Sequence, residues 1–173
     1  MRMRNLFGGR RRRLFSHGKE LAEYRNELFA LTTRIDAVLA SVADEIDALR
    51  RRALDPDEAV ARMGEQEEAL DVEAEALRAM MAPEELHGLH MEYEANLERA
   101  LRGLVTVERG CGITRLPHRP ADDEEPHTYY RRGHANVTHA RMRMAEIVDV
   151  LLSWEPGKPV EANLQTRLHR DEA

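Results

Sequence analysis

Histidine and glutamate residues with the spacing of metal ligands occur near the middle of the chain. The segment from Glu84 to His87 has the Glu-x-x-His order that helical bundles use, with further glutamates, to hold two metal ions. A second match, from Glu124 to His127, contains a proline, and we expect it to lie in a loop, where this spacing fixes no common face. The two-metal pattern is therefore incomplete.

A looser metal site would combine two of the predicted helices. His87, His90 and Glu94 belong to the third helix and His134 to the fourth, and zinc or iron accepts such nitrogen and oxygen ligands. His134 and His139 are five residues apart and point to different faces, so at most one can meet the third helix. Surface or partly buried histidines are the simpler interpretation. The alternative function is a zinc- or iron-binding bundle, which could be an enzyme, that uses Glu84, His87, His90, Glu94 and His134.

No other residue of the sequence predicts catalysis. The single cysteine, Cys111, comes at the end of the predicted third helix, where the helix dipole raises the pKa of a thiol instead of lowering it. Gly8 and Gly9 precede arginines and lack the strand, lysine and hydroxyl of a phosphate-binding loop. We therefore assign no catalytic residue, and we expect a protein that is not an enzyme and has no cofactor.

The N-terminal segment is the strongest candidate for a binding function. Residues 1–19 contain six arginines, one lysine and no acid, in a chain whose formal net charge is −6. Glycines and a run of like charges predict an irregular, flexible arm over residues 1–18. The residues expected to contact a partner are cations and aromatic side chains of this arm: Arg2, Arg4, Phe7, Arg10, Arg11, Arg12, Arg13 and Phe15.

Three kinds of anionic partner fit this arm. An anionic membrane surface would attract the cations, at about 1 kcal/mol each, and would accept the leucine and phenylalanine side chains. A nucleic acid would bind the arginines without sequence preference and release them with salt. An acidic protein surface, on this chain or another, is the third option. We expect a helical interaction or scaffold module whose arm contacts such a partner.

Composition also limits where the protein can act. A single cysteine cannot form an intrachain disulfide, which favours a reducing compartment. No stretch approaches the eighteen or so consecutive apolar residues that a membrane-spanning helix requires. We expect a cytoplasmic protein, with peripheral attachment to a membrane as a further option.

Four amphipathic helices are predicted to position these residues. Apolar residues recur at spacings of three and four, which aligns them on one helix face. The clearest stripe runs Leu21, Tyr24, Leu28, Leu31, Ile35, Val38, Val42, Ile46, Leu49 and Ala53. Asp55 before Pro56 marks a helix start, and Thr128 is the predicted cap of the last helix. The predicted helices span about residues 19–54, 56–81, 83–110 and 129–154, with a loop over 111–128 and a mobile polar tail over 156–173.

Two very short connections and one longer one predict an all-α, antiparallel, up-down-up-down four-helix bundle. The stripe of the second helix is Val60, Met63, Glu67, Leu70, Ala74, Leu77 and Met81. Glu67 should lie at the edge of that stripe or pair with Arg141 or Arg143, because a buried unpaired carboxylate is costly. The first helix is the longest, so its end can project from the bundle or pair with a second copy as a coiled coil in a homo-oligomer.

Overall fold

Four α-helices form the part of the protein that the structure describes, as predicted. The computed structural model describes residues 8–116, residue 118 and residues 124–155, with side chains from residue 18 onward. The helices are α1 (Gly8–Arg50), α2 (Pro56–Ala79), α3 (His87–Thr114) and α4 (Pro126–Ser153), and a short 3-10 turn (Glu84–Leu86) precedes α3. The predicted tail over 156–173 and the first seven residues of the predicted arm lie outside the described part of the chain.

The helices pack as an antiparallel up-down-up-down bundle, which confirms the predicted architecture. Each helix packs against its neighbours in sequence, α4 closes the ring against α1, and the contact between α3 and α4 is the most extensive. Helices α1 and α4 run in opposite directions. Arg25 of α1 contacts Trp154 at the end of α4, whereas Asp36, further along α1, pairs with Arg141, which comes earlier in α4. Short links force this arrangement because they leave no length to return along the bundle.

The apolar stripes form one continuous core, with small changes of register. The predicted stripe of α1 is buried, except that Leu39 is fully buried where Val38 was expected and Ala53 is exposed. The buried residues of α3 and α4 recur at the same spacings of three and four. In α2, Ala59 takes the place of Val60, and Met81 is 91% exposed. Met81 lies beyond the end of α2, because the Met80 N–H already donates back to the Leu77 carbonyl as the helix ends.

The first helix begins earlier than predicted. Its backbone is helical from Gly8, so residues 8–18 continue α1 instead of forming an irregular arm. Gly9 and Gly18 lower helix stability without preventing a helix, at roughly 1 kcal/mol each relative to alanine. Among the residues whose side chains are described, Leu21 is the first that is buried, and the helix backbone extends about 20 Å on its N-terminal side, at 1.5 Å per residue.

The predicted loop over 111–128 is too long at both ends. Helix α3 continues through Gly110 and Gly112 to Thr114, and α4 already begins at Pro126. A Cβ atom on Gly110 would lie 2.8 Å from the ring of Tyr130, so this glycine allows two helices to approach and does not end one. The order Glu125-Pro126 repeats Asp55-Pro56, and the predicted cap, Thr128, lies inside the first turn of α4.

Glycines also set the spacing between α3 and α4 at the middle of their contact. A Cβ atom on Gly133 would lie 2.8 Å from the carbonyl oxygen of Gly103, and one on Gly103 would lie 3.1 Å from the carbonyl oxygen of Gly133. Val107 packs directly over Gly133. The two backbones therefore approach more closely than any residue with a side chain would allow.

Candidate functional site

The predicted metal ligands lie at different ends of the bundle. His90 is buried at the start of α3, where its Nδ1 atom lies 3.0 Å from the Tyr24 hydroxyl of α1. His134 lies instead near the far end of α1, with its Nε2 atom 3.7 Å from Asp47. Tyr24 and Asp47 are about 35 Å apart along α1 at 1.5 Å per residue. The structure therefore does not bring Glu84, His87, His90, Glu94 and His134 together.

The remaining members of that set have other partners or face solvent. Glu94 accepts a hydrogen bond from Arg78 at 3.1 Å, and Glu84 and His87 are exposed. Burial lowers the pKa of His90, a shift that Glu94 opposes and His87 reinforces. Among the described residues, no group of three or more His, Cys, Asp or Glu side chains is placed to hold a metal ion.

His90 belongs to a layer of buried polar groups between α1 and α3. Next to the Tyr24–His90 pair, the Tyr93 hydroxyl donates to Thr32 at 2.9 Å. Burial raises the pKa of Tyr24, with Tyr93 adding to the shift, and it raises the pKa of Tyr93 to about 12. The polar groups of these side chains form hydrogen bonds with one another inside the core. The layer therefore fixes how α1 and α3 align.

Cys111 is a packed thiol in the last turns of α3. It is fully buried, and burial raises its pKa, which a hydrogen bond from Tyr130 only partly offsets. The Tyr130 hydroxyl in turn lies 3.0 Å from Thr114. The thiol pKa is raised, as the sequence predicted, but the main cause of the shift is burial and not the helix dipole.

Glu67 lies half-buried on α2, at the edge of its stripe. This is one of the two positions expected for it. The other, a pair with Arg141 or Arg143, is not seen, because Arg141 pairs with Asp36 at 2.9 Å and Arg143 pairs with Glu92 at 2.6 Å. Glu67 instead approaches Glu108 of α3. Burial raises the pKa of Glu108, and the charge of Glu67 raises it further.

The candidate arm residues Arg10, Arg11, Arg12, Arg13 and Phe15 belong to the helical extension of α1. A packed layer near this end of the bundle contains the Tyr24–His90 pair and the Arg25 guanidinium, which donates to the Trp154 carbonyl and lies 6.0 Å from the Trp154 ring. Within the described chain, α4 ends at this layer and α3 begins there. Arg2, Arg4 and Phe7 lie outside the described residues.

A second group of cations, which the sequence interpretation missed, lies at the opposite end of the bundle. The end of α1 and the start of α4 enclose a cleft of about 500 Å³ lined by Arg50, Thr128, Arg131, Arg132, His134 and Ala135. We call it the α1–α4 cleft. Arg50 also lines an adjoining cavity of about 620 Å³, together with Arg52 and His127. The runs Arg50 to Arg52 and Arg131-Arg132 were visible in the sequence, but only the topology brings them together.

Comparison with known proteins gives no relative for this chain. No family model, no curated protein and no solved structure shows significant similarity to it. Across the described residues, no helix combines the length and apolar character needed to cross a bilayer.

Proposed function

We propose that the protein is a non-enzymatic helical interaction module whose basic N-terminal segment contacts an anionic partner. The observation that carries this proposal is the extension of α1. Its backbone stays helical for about 20 Å beyond Leu21, and the run from Arg10 to Arg13 belongs to that extension. Four consecutive arginines on one helix, N-terminal to the buried stripe of α1, form a cationic element suited to an anionic surface.

The side chains that could take part in a reaction have other roles, and this supports a non-enzymatic function. His90 has Tyr24 as its partner, Glu94 has Arg78, and Cys111 is buried with a raised pKa. A buried thiol of this kind is a poor nucleophile, because the thiolate is the reactive form. Each of these groups contributes to helix packing or to a surface ion pair.

The partner that we favour is an anionic membrane surface, at which a cytoplasmic protein would attach peripherally. In the sequence, Leu14 and Phe15 follow the four arginines directly, and this mixture of apolar and cationic residues is typical of interfacial helices. Attraction contributes about 1 kcal/mol for each arginine near the surface. Nucleic acid would engage the same arginines but gain little from the apolar side chains.

The length of α1 also supports self-association. At 43 residues it is much longer than α2, which has 24, and its first part, residues 8–20, precedes the described buried stripe that starts at Leu21. A second copy could pair with this part of α1, so that two cationic segments would reach one surface. Sedimentation of the full chain at several concentrations tests this step separately.

The experiment that tests the proposal compares three forms of the full chain for binding to vesicles. The first is the natural sequence, and the second replaces Arg10, Arg11, Arg12 and Arg13 by glutamine. The control removes the same charge from the bundle surface by replacing Arg34, Arg62, Arg78 and Arg102, each of which is about half exposed or more.

We expect the natural sequence and the control to bind vesicles rich in anionic lipid and not to bind vesicles of neutral lipid. Loss of four arginines from the segment should weaken binding by about 4 kcal/mol, close to a thousandfold. Equal binding by the segment variant and the control would contradict the proposal. Loss of duplex DNA binding without loss of vesicle binding would identify nucleic acid as the partner.

A further inference from the structure

We propose that the α1–α4 cleft is a binding site for a compact phosphate-bearing anion. This site is separate from the proposed function, because Arg13 and Arg50 are about 55 Å apart along α1. The cleft is formed by the last turn of α1 and the first turns of α4, which the antiparallel topology brings side by side.

The residues that line the cleft are cationic or neutral. Three guanidinium groups, one imidazole and one hydroxyl converge there, and no carboxylate is among the lining residues. This concentration of positive charge occurs in a chain with a formal net charge of −6. Guanidinium groups bind phosphate oxygens through paired, charge-assisted hydrogen bonds, so this set fits a phosphate group better than a carbohydrate or an apolar ligand.

The cations of the cleft are only partly neutralised by neighbouring acids. Arg50 donates to Asp47 at 2.6 Å through Nη1, while its buried Nε has no hydrogen-bond partner in the described structure. Arg132 pairs with Glu124 at 3.0 Å, and the Nε2 atom of His134 lies 3.7 Å from Asp47, the same acid that accepts from Arg50. An anion in the cleft would accept hydrogen bonds from these groups. For the Arg50 Nε this matters most, because a buried donor is costly to leave without a partner.

Arg52 supplies a second, independent observation beside Arg50. Its φ of 58° lies in the left-handed region, and it is the only residue other than glycine with a positive φ among the described residues. The Arg52 N–H donates to the Leu49 carbonyl and the Ala53 N–H to the Ala48 carbonyl, which is the Schellman ending of a helix. Glycine is the usual residue at this position, so arginine here carries a conformational cost that a ligand-binding role would explain.

The size of the site favours a small ligand with more than one charge. The cleft of about 500 Å³ and the adjoining cavity of about 620 Å³ share Arg50. Arg52 and His127 also line the second cavity, together with the acidic residues Asp55 and Glu125. Cations that come from two helices and a turn are better matched by two linked phosphates than by one. A diphosphate group is therefore the ligand chemistry that we assign to the site.

The test is a calorimetric titration of the full chain with inorganic pyrophosphate. The test variant is Arg131→Gln with Arg132→Gln, and the matched control is Arg78→Gln with Arg102→Gln, which removes the same charge from exposed positions on α2 and α3. We expect saturable binding by the natural sequence and the control, and binding at least about tenfold weaker by the test variant. No saturable binding, or equal weakening in both variants, would overturn the proposal.

The variant Arg52→Gly separates a loss of ligand contacts from a loss of folding. Glycine adopts the left-handed conformation without strain, so the thermal midpoint should rise while pyrophosphate binding weakens several-fold. A higher midpoint with unchanged affinity would overturn the assignment of Arg52 to the site. The variant that lacks Arg10 to Arg13 should bind pyrophosphate as the natural sequence does, whether or not the proposal for the N-terminal segment holds.

Discussion

Replacing Gly133 by alanine tests the close contact between α3 and α4. In the structure, a Cβ atom on Gly133 would lie 2.8 Å from the Gly103 carbonyl oxygen and closer still to the Val107 side chain. Carbon and oxygen atoms that are not bonded normally remain at least about 3.4 Å apart. Since the oxygen belongs to the backbone, it cannot rotate away, and the two helices must separate.

The expected loss of stability follows from two opposing effects. Overpacking of a core costs roughly 1–3 kcal/mol, and we take the upper end because backbone must move. Alanine in place of glycine inside a helix returns about 1 kcal/mol through its better helix propensity. The net loss is about 2 kcal/mol, which for a chain of this size lowers the thermal midpoint by roughly 4–8 °C.

The assay is denaturant unfolding followed by far-ultraviolet circular dichroism. Gly64→Ala in the interior of α2 is the control, because a Cβ atom there meets nothing within 4 Å. This control should gain about 0.5–1 kcal/mol of stability. A Gly133→Ala variant as stable as the control would refute the close packing of α3 on α4.

Two further predictions concern buried ionisable groups. Burial lowers the pKa of His90 from its ordinary 6.5, so the unfolded chain binds more protons in the interval between the two values, and stability should fall as pH drops through 6.5. In the variant His90→Gln, the free energy of unfolding should change less with pH in this range. Denaturant titrations at several pH values measure it, and the same pH dependence in the variant and the natural sequence would contradict the assignment. For Cys111, burial raises the thiol pKa and excludes reagents. A thiol-specific reagent should modify the native protein at least about a hundredfold more slowly than the unfolded chain, whereas similar rates would show that Cys111 is accessible.

The fold was largely predictable because helix periodicity records which residues are buried. The α1 stripe was predicted residue by residue except at Val38, where the neighbouring Leu39 is buried, and at Ala53, which is exposed. Glycine caused the main errors. A glycine that ends a helix and one that allows close packing, such as Gly110, look the same until the facing residue, here Tyr130, is known.

The functional residues were harder to predict, because residue type and spacing do not reveal a partner on another helix. His90 and His134 looked like ligands of one site, yet they contact α1 at Tyr24 and Asp47, near opposite ends of the bundle. Arg50 and Arg131 belong to no recognisable sequence motif. The predicted antiparallel order nevertheless placed the end of the first helix beside the start of the fourth, where these two residues lie.

The most direct test of the proposed function is the salt dependence of vesicle binding by the full chain and by the variant that lacks Arg10 to Arg13. Electrostatic attachment predicts that the affinity of the natural sequence for anionic vesicles falls steeply between about 50 and 200 mM salt, because the Debye length shrinks over that interval. The variant should bind weakly at every salt concentration. Two coincident binding curves would contradict the proposal that the basic segment contacts an anionic partner.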